Sequence, residues 1–191
     1  MELMNRQINL LYKHKKDVLK KALEKENWQQ YVYIHERPYR LEAFDEIMND
    51  MAAKDYWDIL SSIWQDSENI SQNIHRWMDL WSSDLEEREA VMDEDERAAL
   101  AALPETITIY RGIGHMGAEY GMSWTTSLDK AVWFAKRFSG YGDRAALLVT
   151  GKSHRDDVLA YLLGRNEHEI VIMPEDVEVL EIKRLLADKQ K

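Results

Sequence analysis

Pro104-Glu105-Thr106-Ile107-Thr108-Ile109-Tyr110-Arg111-Gly112 is where the chain changes character. From Thr106 to Tyr110 it is β-branched and alternating, the pattern of a strand with one apolar face. Upstream, residues 1–102 contain one proline, Pro38, and no glycine, while all eight glycines follow Arg111. Glycine and proline punctuate turns. The upstream half therefore reads as helices, and the glycine-bearing half as short strands joined by turns. The expectation is an α+β chain in two parts, a helical lobe over residues 1–102 and a β-rich core over residues 103–191.

Helical spacing supports the first part. Ile8, Leu11, Tyr12 and Leu19 mark one face of an opening helix, and Leu41, Phe44, Ile47 and Met48 follow the same period. So do Tyr56, Leu60, Ile63 and Trp64, and then Ile74, Trp77, Met78 and Trp81. Five of the seven tryptophans lie here, and large aromatics at this spacing read as helix core rather than a cofactor box. Glu86 to Arg97 reads as a solvated helical face. In the second part, Ala145–Thr150, Val158–Leu162, Glu169–Met173 and Val177–Ile182 are further strands. One helix interrupts them: Ala131, Phe134, Ala135 and Phe138 fall on one face, with Ser127 or Asp129 as its cap.

The chain has 191 residues, no cysteine and a net charge of −10. Disulfides, thiolate zinc sites and a cysteine nucleophile are thereby excluded. Residues 1–100 carry 13 basic and 22 acidic side chains, and residues 101–191 carry 12 and 13. The first half would repel a phosphate backbone, whereas the near-neutral second half is compatible with a dinucleotide. The plainer meaning of an acidic surface is solubility. The apolar stretch Ile8–Tyr12 is short and is followed by lysines, so it matches neither a secretory core nor a membrane span. The expectation is a cytoplasmic protein without a membrane partner.

Three features carry chemistry. Arg111 shares a strand face with Ile107 and Ile109, which sets a cation at the edge of a core where it needs an anionic partner. By itself this fits a structural ion pair and a phosphate site equally well. Gly112 and Gly114 follow and let backbone approach a ligand. In Arg165-Asn166-Glu167-His168-Glu169-Ile170-Val171-Ile172, Glu167 and Glu169 at i and i+2 would share a face at the mouth of a central strand. Such a pair repels and loses solvation, a cost met where chemistry needs two carboxylates; a strand start still open to solvent fits as well. In Gly121-Met122-Ser123-Trp124-Thr125-Thr126-Ser127, Ser127 serves as a helix cap, but Ser123 and Thr125 lie too early for one. His115 and His168 lack metal-ligand spacing, so no metal is expected. Arg111-Gly112-Ile113-Gly114 is neither a Rossmann turn nor a P-loop.

In this order, Tyr110-Arg111-Gly112, then Ser123-Trp124-Thr125 before an Ala-x-x-Phe-Ala helix, then Glu167-x-Glu169 resembles the Arg–Ser–Glu class of mono-ADP-ribosyltransferases. That class includes cholera-like and clostridial-type toxins, cell-surface transferases and phage or prophage proteins. The resemblance spans about residues 104–182 through three motifs. One motif departs from the common pattern: many members have Ser-Thr-Ser where this chain has Ser-Trp-Thr, as in phage-type sequences.

The resemblance implies a helical lobe followed by a mixed or antiparallel split β-sandwich with NAD, as co-substrate, bound across its cleft. Arg111 would grip the phosphates or ribose of NAD, and the Gly112 backbone would hold the nicotinamide amide. Ser123 would orient Glu169, with Trp124 and Thr125 also lining the cofactor site. Glu169 would stabilise the cation formed as nicotinamide leaves, and Glu167 would position or deprotonate the acceptor. Residues Leu162 to Asn166 would form the turn that meets that acceptor. Two glutamates in this motif resemble the members that modify a protein arginine. The implied partners are a macromolecular acceptor, expected to be protein, and an inhibitor or antitoxin protein. Three other readings stay open. One is transfer to a nucleic-acid base, through a basic patch of Arg137, Arg144, Lys152 and Arg155. The others are NAD hydrolysis and an inactive binding protein.

Overall fold

The structure is a computed structural model that describes the backbone of residues 2–68, 70–139 and 145–185 and the side chains of 10–68, 70–138 and 145–185. The side chains of Ile8 and Arg144 lie outside the described residues. By contact the chain forms two compact units, Met1–Asn69 with Asp84–Val91, and Ile70–Ser83 with Met92–Lys191.

The first unit is helical: α1 (Glu2–Glu24), α2 (Trp28–Tyr33), α3 (Arg40–Ile47) and α4 (Ala53–Asp66). α2 begins where the Asn27 side chain accepts the Gln30 N–H. α4 buries Tyr56, Trp57, Leu60, Ile63 and Trp64, a stripe at helical spacing that faces inward because its period matches the turn. Phe44 of α3 meets Tyr56 with ring centroids 5.1 Å apart. Trp57 is anchored at its polar edge, where its indole N–H donates to Glu86 O at 2.8 Å. The face expected on α1 is not covered at its start: Leu11 and Tyr12 are 69% and 61% exposed. None of the described helices is long and apolar enough to cross a membrane.

The second unit contains α5 (Ile74–Trp81) and α6 (Glu94–Ala101) as well as every strand among the described residues. A change in glycine content at residue 102 therefore does not coincide with the division by contact. α6 starts with a capping box, in which Asp93 accepts the Glu96 N–H and Glu96 accepts the Asp93 N–H. The other oxygen of Glu96 accepts the Leu163 N–H at 2.8 Å. Glu96, read as part of a solvated face, is thus buried and ties α6 to the end of a strand.

The strands are β1 (Thr106–Ile113), β2 (Ser123–Thr125), β3 (Leu147–His154), β4 (Val158–Leu162), β5 (Glu169–Ile172) and β6 (Glu178–Arg184), with α7 (Leu128–Ser139) after β2. They form one antiparallel sheet in the order β4-β5-β2-β1-β3-β6. β5 is an interior strand buried at every position, as its continuous apolar run predicts. β1 and β3 pair at eight positions, from Thr106↔His154 to Ile113↔Leu147. β1 and β2 pair at one, Tyr110↔Thr125. The sheet is therefore thinnest at its middle, between the trios β4-β5-β2 and β1-β3-β6.

One apolar cluster joins the two trios, with Ile107, Ile109, Val149, Trp124, Tyr161 and Ile170 in common. A Cβ on Gly151 would lie 3.2 Å from Trp124 Cζ3, so this glycine admits the indole against β3. On β1, a Cβ at Gly112 would collide with Ala131 O and Ala135 N of α7. The small residues of α7, Ala131 and Ala135, are fully buried there, and Ser127 accepts the Lys130 N–H as the expected cap.

Candidate active site

The thin middle of the sheet is where the chemistry-bearing residues gather. β1 ends its pairing with β2 at Tyr110, so the next side chain, Arg111, reaches across the gap. Its Nε–H donates to Ala118 O at 3.0 Å and Nη1 donates to Ser123 O. Its guanidinium lies on Gly121, where any Cβ would strike Nη2 and Cζ. Gly121 is thus a residue of the site. Its signal in the sequence is a glycine two positions before Ser123, which marks a close approach but not of what. Burial draws the Arg111 pKa down to about 10, and the Glu169 carboxylate opposes that shift.

Glu119, which drew no notice in the sequence, is buried in the loop from β1 to β2. Its carboxylate accepts the Gly117 N–H at 2.6 Å, and Gly117 takes φ 94°, a left-handed value that glycine adopts at little cost. This bond folds the loop that offers Ala118 O to Arg111.

Ser123 and Glu169 come together across the β2–β5 pair. Ser123 Oγ donates to Glu169 Oε1 at 2.5 Å, a short bond of the kind a hydroxyl makes to a carboxylate. Glu169 is 7% exposed at the first position of β5, opposite Thr125 and Leu162. Arg111, Ser123 and Glu169 thus form one connected group: the guanidinium holds the Ser123 carbonyl while the Ser123 hydroxyl holds the carboxylate.

Glu167 lies differently from the expectation. It is not on a strand face with Glu169, because the chain turns between them. Glu167 closes a 3-10 turn, Gly164–Asn166, and His168 takes φ 49°. Arg165 and Asn166 take φ 56° and 55°. Three non-glycine residues in the left-handed region within four positions mark a turn held by its surroundings. Thr125 supplies the hold: its hydroxyl donates to Glu167 O at 2.7 Å and accepts the Ser127 N–H at 3.0 Å. The Thr126 N–H donates to His168 O, and the Tyr161 hydroxyl lies 3.1 Å from Thr126 Oγ1 and 3.3 Å from His168 Nδ1. The Glu167 carboxylate is half-buried and pairs with Arg165 Nη2 at 3.2 Å.

Trp124 and Thr125 have their polar groups engaged within the protein. The Trp124 ring is buried in the core, and its N–H donates to Gly121 O at 2.8 Å. Thr125 is buried and bonds only backbone in the contacts above. Both residues brace the backbone of the site, at Gly121 and at Glu167, and Gly112 is the contact point for α7. Of the basic patch, Lys152 pairs with Glu178 at 2.9 Å and Arg155 donates to Leu103 O at 2.9 Å, while Arg137 lies over the Trp133 ring. Among the described residues, no cluster of three histidines or acids could hold a metal.

No family model, curated protein or solved structure matches this chain.

Proposed function

We propose that the chain is a mono-ADP-ribosyltransferase that moves ADP-ribose from NAD to a protein arginine and releases nicotinamide. One observation carries the reading: a buried glutamate fixed by a serine hydroxyl, next to a partly buried arginine, at the thin junction between two three-stranded halves of a sheet. The six-strand antiparallel arrangement with a thin middle supports a split β-sandwich of the transferase type.

The chemistry follows from charge. NAD brings a diphosphate and a pyridinium leaving group. Arg111 has five N–H donors, of which two hold Ala118 O and Ser123 O; the others suit phosphate or ribose oxygens. As the bond from ribose C1′ to nicotinamide lengthens, positive charge develops on the ribose. Glu169, oriented by Ser123, stabilises that charge as carboxylates do in glycoside cleavage. The fixed Ser123–Glu169 bond means little reorganisation is needed at that moment. Glu167 sits on the adjoining turn and receives the acceptor guanidinium, removing its proton as the new bond forms. The pairing of Glu167 with a guanidinium, here that of Arg165, supports an arginine acceptor. The engagement of Lys152 and Arg155 within the protein weighs against a nucleic-acid acceptor.

The test is incubation with labelled NAD and a cell lysate, followed by protease or nuclease. Label on macromolecules that protease releases and nuclease does not is the expected result. Nuclease-released label would move the acceptor to nucleic acid. Nicotinamide release with no macromolecular label would make the protein a hydrolase, and no turnover of NAD would overturn the enzyme reading.

A further inference from the structure

In the turn that enters β5, a guanidinium already occupies the acceptor side of the site. Arg165 Nη2 is 3.2 Å from Glu167 Oε2, and the Arg165 side chain is about half exposed. Arg165 takes a left-handed φ of 56°, as do its neighbour Asn166 at 55° and His168 at 49°. Non-glycine residues in that region carry a conformational cost and persist where surrounding structure imposes them. Here the Thr125 hydroxyl on Glu167 O and the Thr126 N–H on His168 O fix the turn to β2 and the start of α7. The turn holds Arg165 against Glu167, and the Glu169 carboxylate stands two residues further along the chain.

We propose that Arg165 is an ADP-ribose acceptor in its own molecule, a self-modification site presented to NAD by Glu167. The inference rests on the transferase reading given above. In the step, the C1′–N1 bond of the nicotinamide riboside breaks, and its electron pair leaves with neutral nicotinamide. A terminal nitrogen of Arg165 forms the new C1′–N bond. The guanidinium loses one proton to Glu167, which returns it to solvent. The product is a substituted guanidinium that keeps its positive charge, so the charges balance with NAD as the only co-reactant. Proximity favours this acceptor over one that must diffuse in, because the guanidinium is already oriented on the carboxylate that would deprotonate it.

The experiment uses the full chain with NAD alone, at several protein concentrations, with peptide mass spectrometry to find the modified residue. A parallel assay follows nicotinamide release and transfer to agmatine, a small guanidino acceptor. The expected result is one ADP-ribosyl group on Arg165, formed at a fractional rate independent of protein concentration. Arg165→Lys keeps a cation beside Glu167 but removes the guanidinium; it is expected to lose the adduct and retain nicotinamide release into water. Agmatine modification with Arg165 unlabelled overturns the proposal and leaves the transferase reading standing. An adduct undiminished in Arg165→Lys, or a fractional rate that rises with protein concentration, also overturns it. If the wild-type chain releases no nicotinamide and modifies no agmatine, both readings fall together.

Discussion

Ser123 Oγ donates to Glu169 Oε1 at 2.5 Å across a strand pair in which Ser123 is not the direct partner of Glu169. The register sets Thr125 opposite Glu169 and Ser123 opposite Val171. Residues two apart on a strand share a face, so Ser123 reaches the carboxylate diagonally while Thr125, directly opposite, is free to hold the turn before it. Each hydroxyl of the Ser-x-Thr segment thus has its own task, one on the carboxylate and one on the backbone that delivers it.

Glu169→Gln removes the negative charge and keeps the shape. Transfer is expected to fall by roughly 10²-fold or more, the scale for loss of one preorganised electrostatic group. NAD binding should change little, since in the proposed mechanism the contact strengthens mainly as nicotinamide leaves. Nicotinamide release measured beside calorimetric binding checks this, and transferase activity close to wild type would remove Glu169 from its role.

Arg111→Lys keeps a cation but loses the planar fork that holds Ala118 O and Ser123 O and that, in the proposed mechanism, grips NAD as well. NAD affinity is expected to drop about tenfold or more, the scale of one charge-assisted hydrogen bond, with the helical and strand signals of circular dichroism unchanged. Unchanged affinity would leave Arg111 a structural residue. The wild-type protein has a pH signature as well. Burial lowers the Arg111 pKa to about 10, so the group is cationic through neutral pH, and NAD affinity should fall as pH rises through about 10. For stability the sign is opposite. The desolvated cation is disfavoured relative to the unfolded chain, and that penalty is relieved as pH rises from about 10 toward arginine's ordinary value.

Glu167→Gln separates the two carboxylates. Glu167 lies in the turn and Glu169 on the strand; the proposed mechanism gives the ribose cation to Glu169 and the acceptor to Glu167. Transfer to a lysate acceptor should fall while slow nicotinamide release into water persists, because water needs less positioning than a macromolecular side chain. Equal loss of both activities would mean that the carboxylates act together on NAD.

Thr125→Val keeps the volume but strands Glu167 O and the Ser127 N–H. A lost buried hydrogen bond costs about 1–3 kcal/mol, so denaturant midpoints should fall accordingly. The turn carrying Glu167 loses its hold, so transfer should suffer more than nicotinamide release. A variant with wild-type stability and transfer would show that the turn is fixed by other contacts.

Gly112→Ala and Gly121→Ala should fail in different ways. The new Cβ at position 112 meets α7 backbone, which cannot move aside, whereas at position 121 it meets the far end of the Arg111 side chain. Gly112→Ala is expected to lose about 1–3 kcal/mol of stability or more through overpacking. Gly121→Ala is expected to fold near wild-type stability and bind NAD weakly, because the guanidinium is displaced. Thermal melts with and without NAD distinguish them, and the reverse pattern would contradict the packing described here.

The sequence by itself determined what depends on neighbours along the chain. Helical periods in Tyr56–Trp64 and Trp77–Trp81, alternation in Thr106–Tyr110 and the apolar run after Glu169 each follow from local geometry and burial, and each element formed. The residue types at Arg111, Ser123 and Glu169 were likewise legible as candidates. Only the tertiary structure decided what depends on distant partners. β2 is three residues long, too short to show a period, and exists because β5 and β1 pair with it. Alternation alone set Glu167 beside Glu169, whereas Thr125, 42 residues earlier, pulls Glu167 O into a turn. Glu96 looked solvated until the Leu163 N–H, 67 residues later, met its carboxylate. Local pattern fixes which face of an element is apolar. Which carbonyl meets which hydroxyl is set by the packing of elements far apart in the chain.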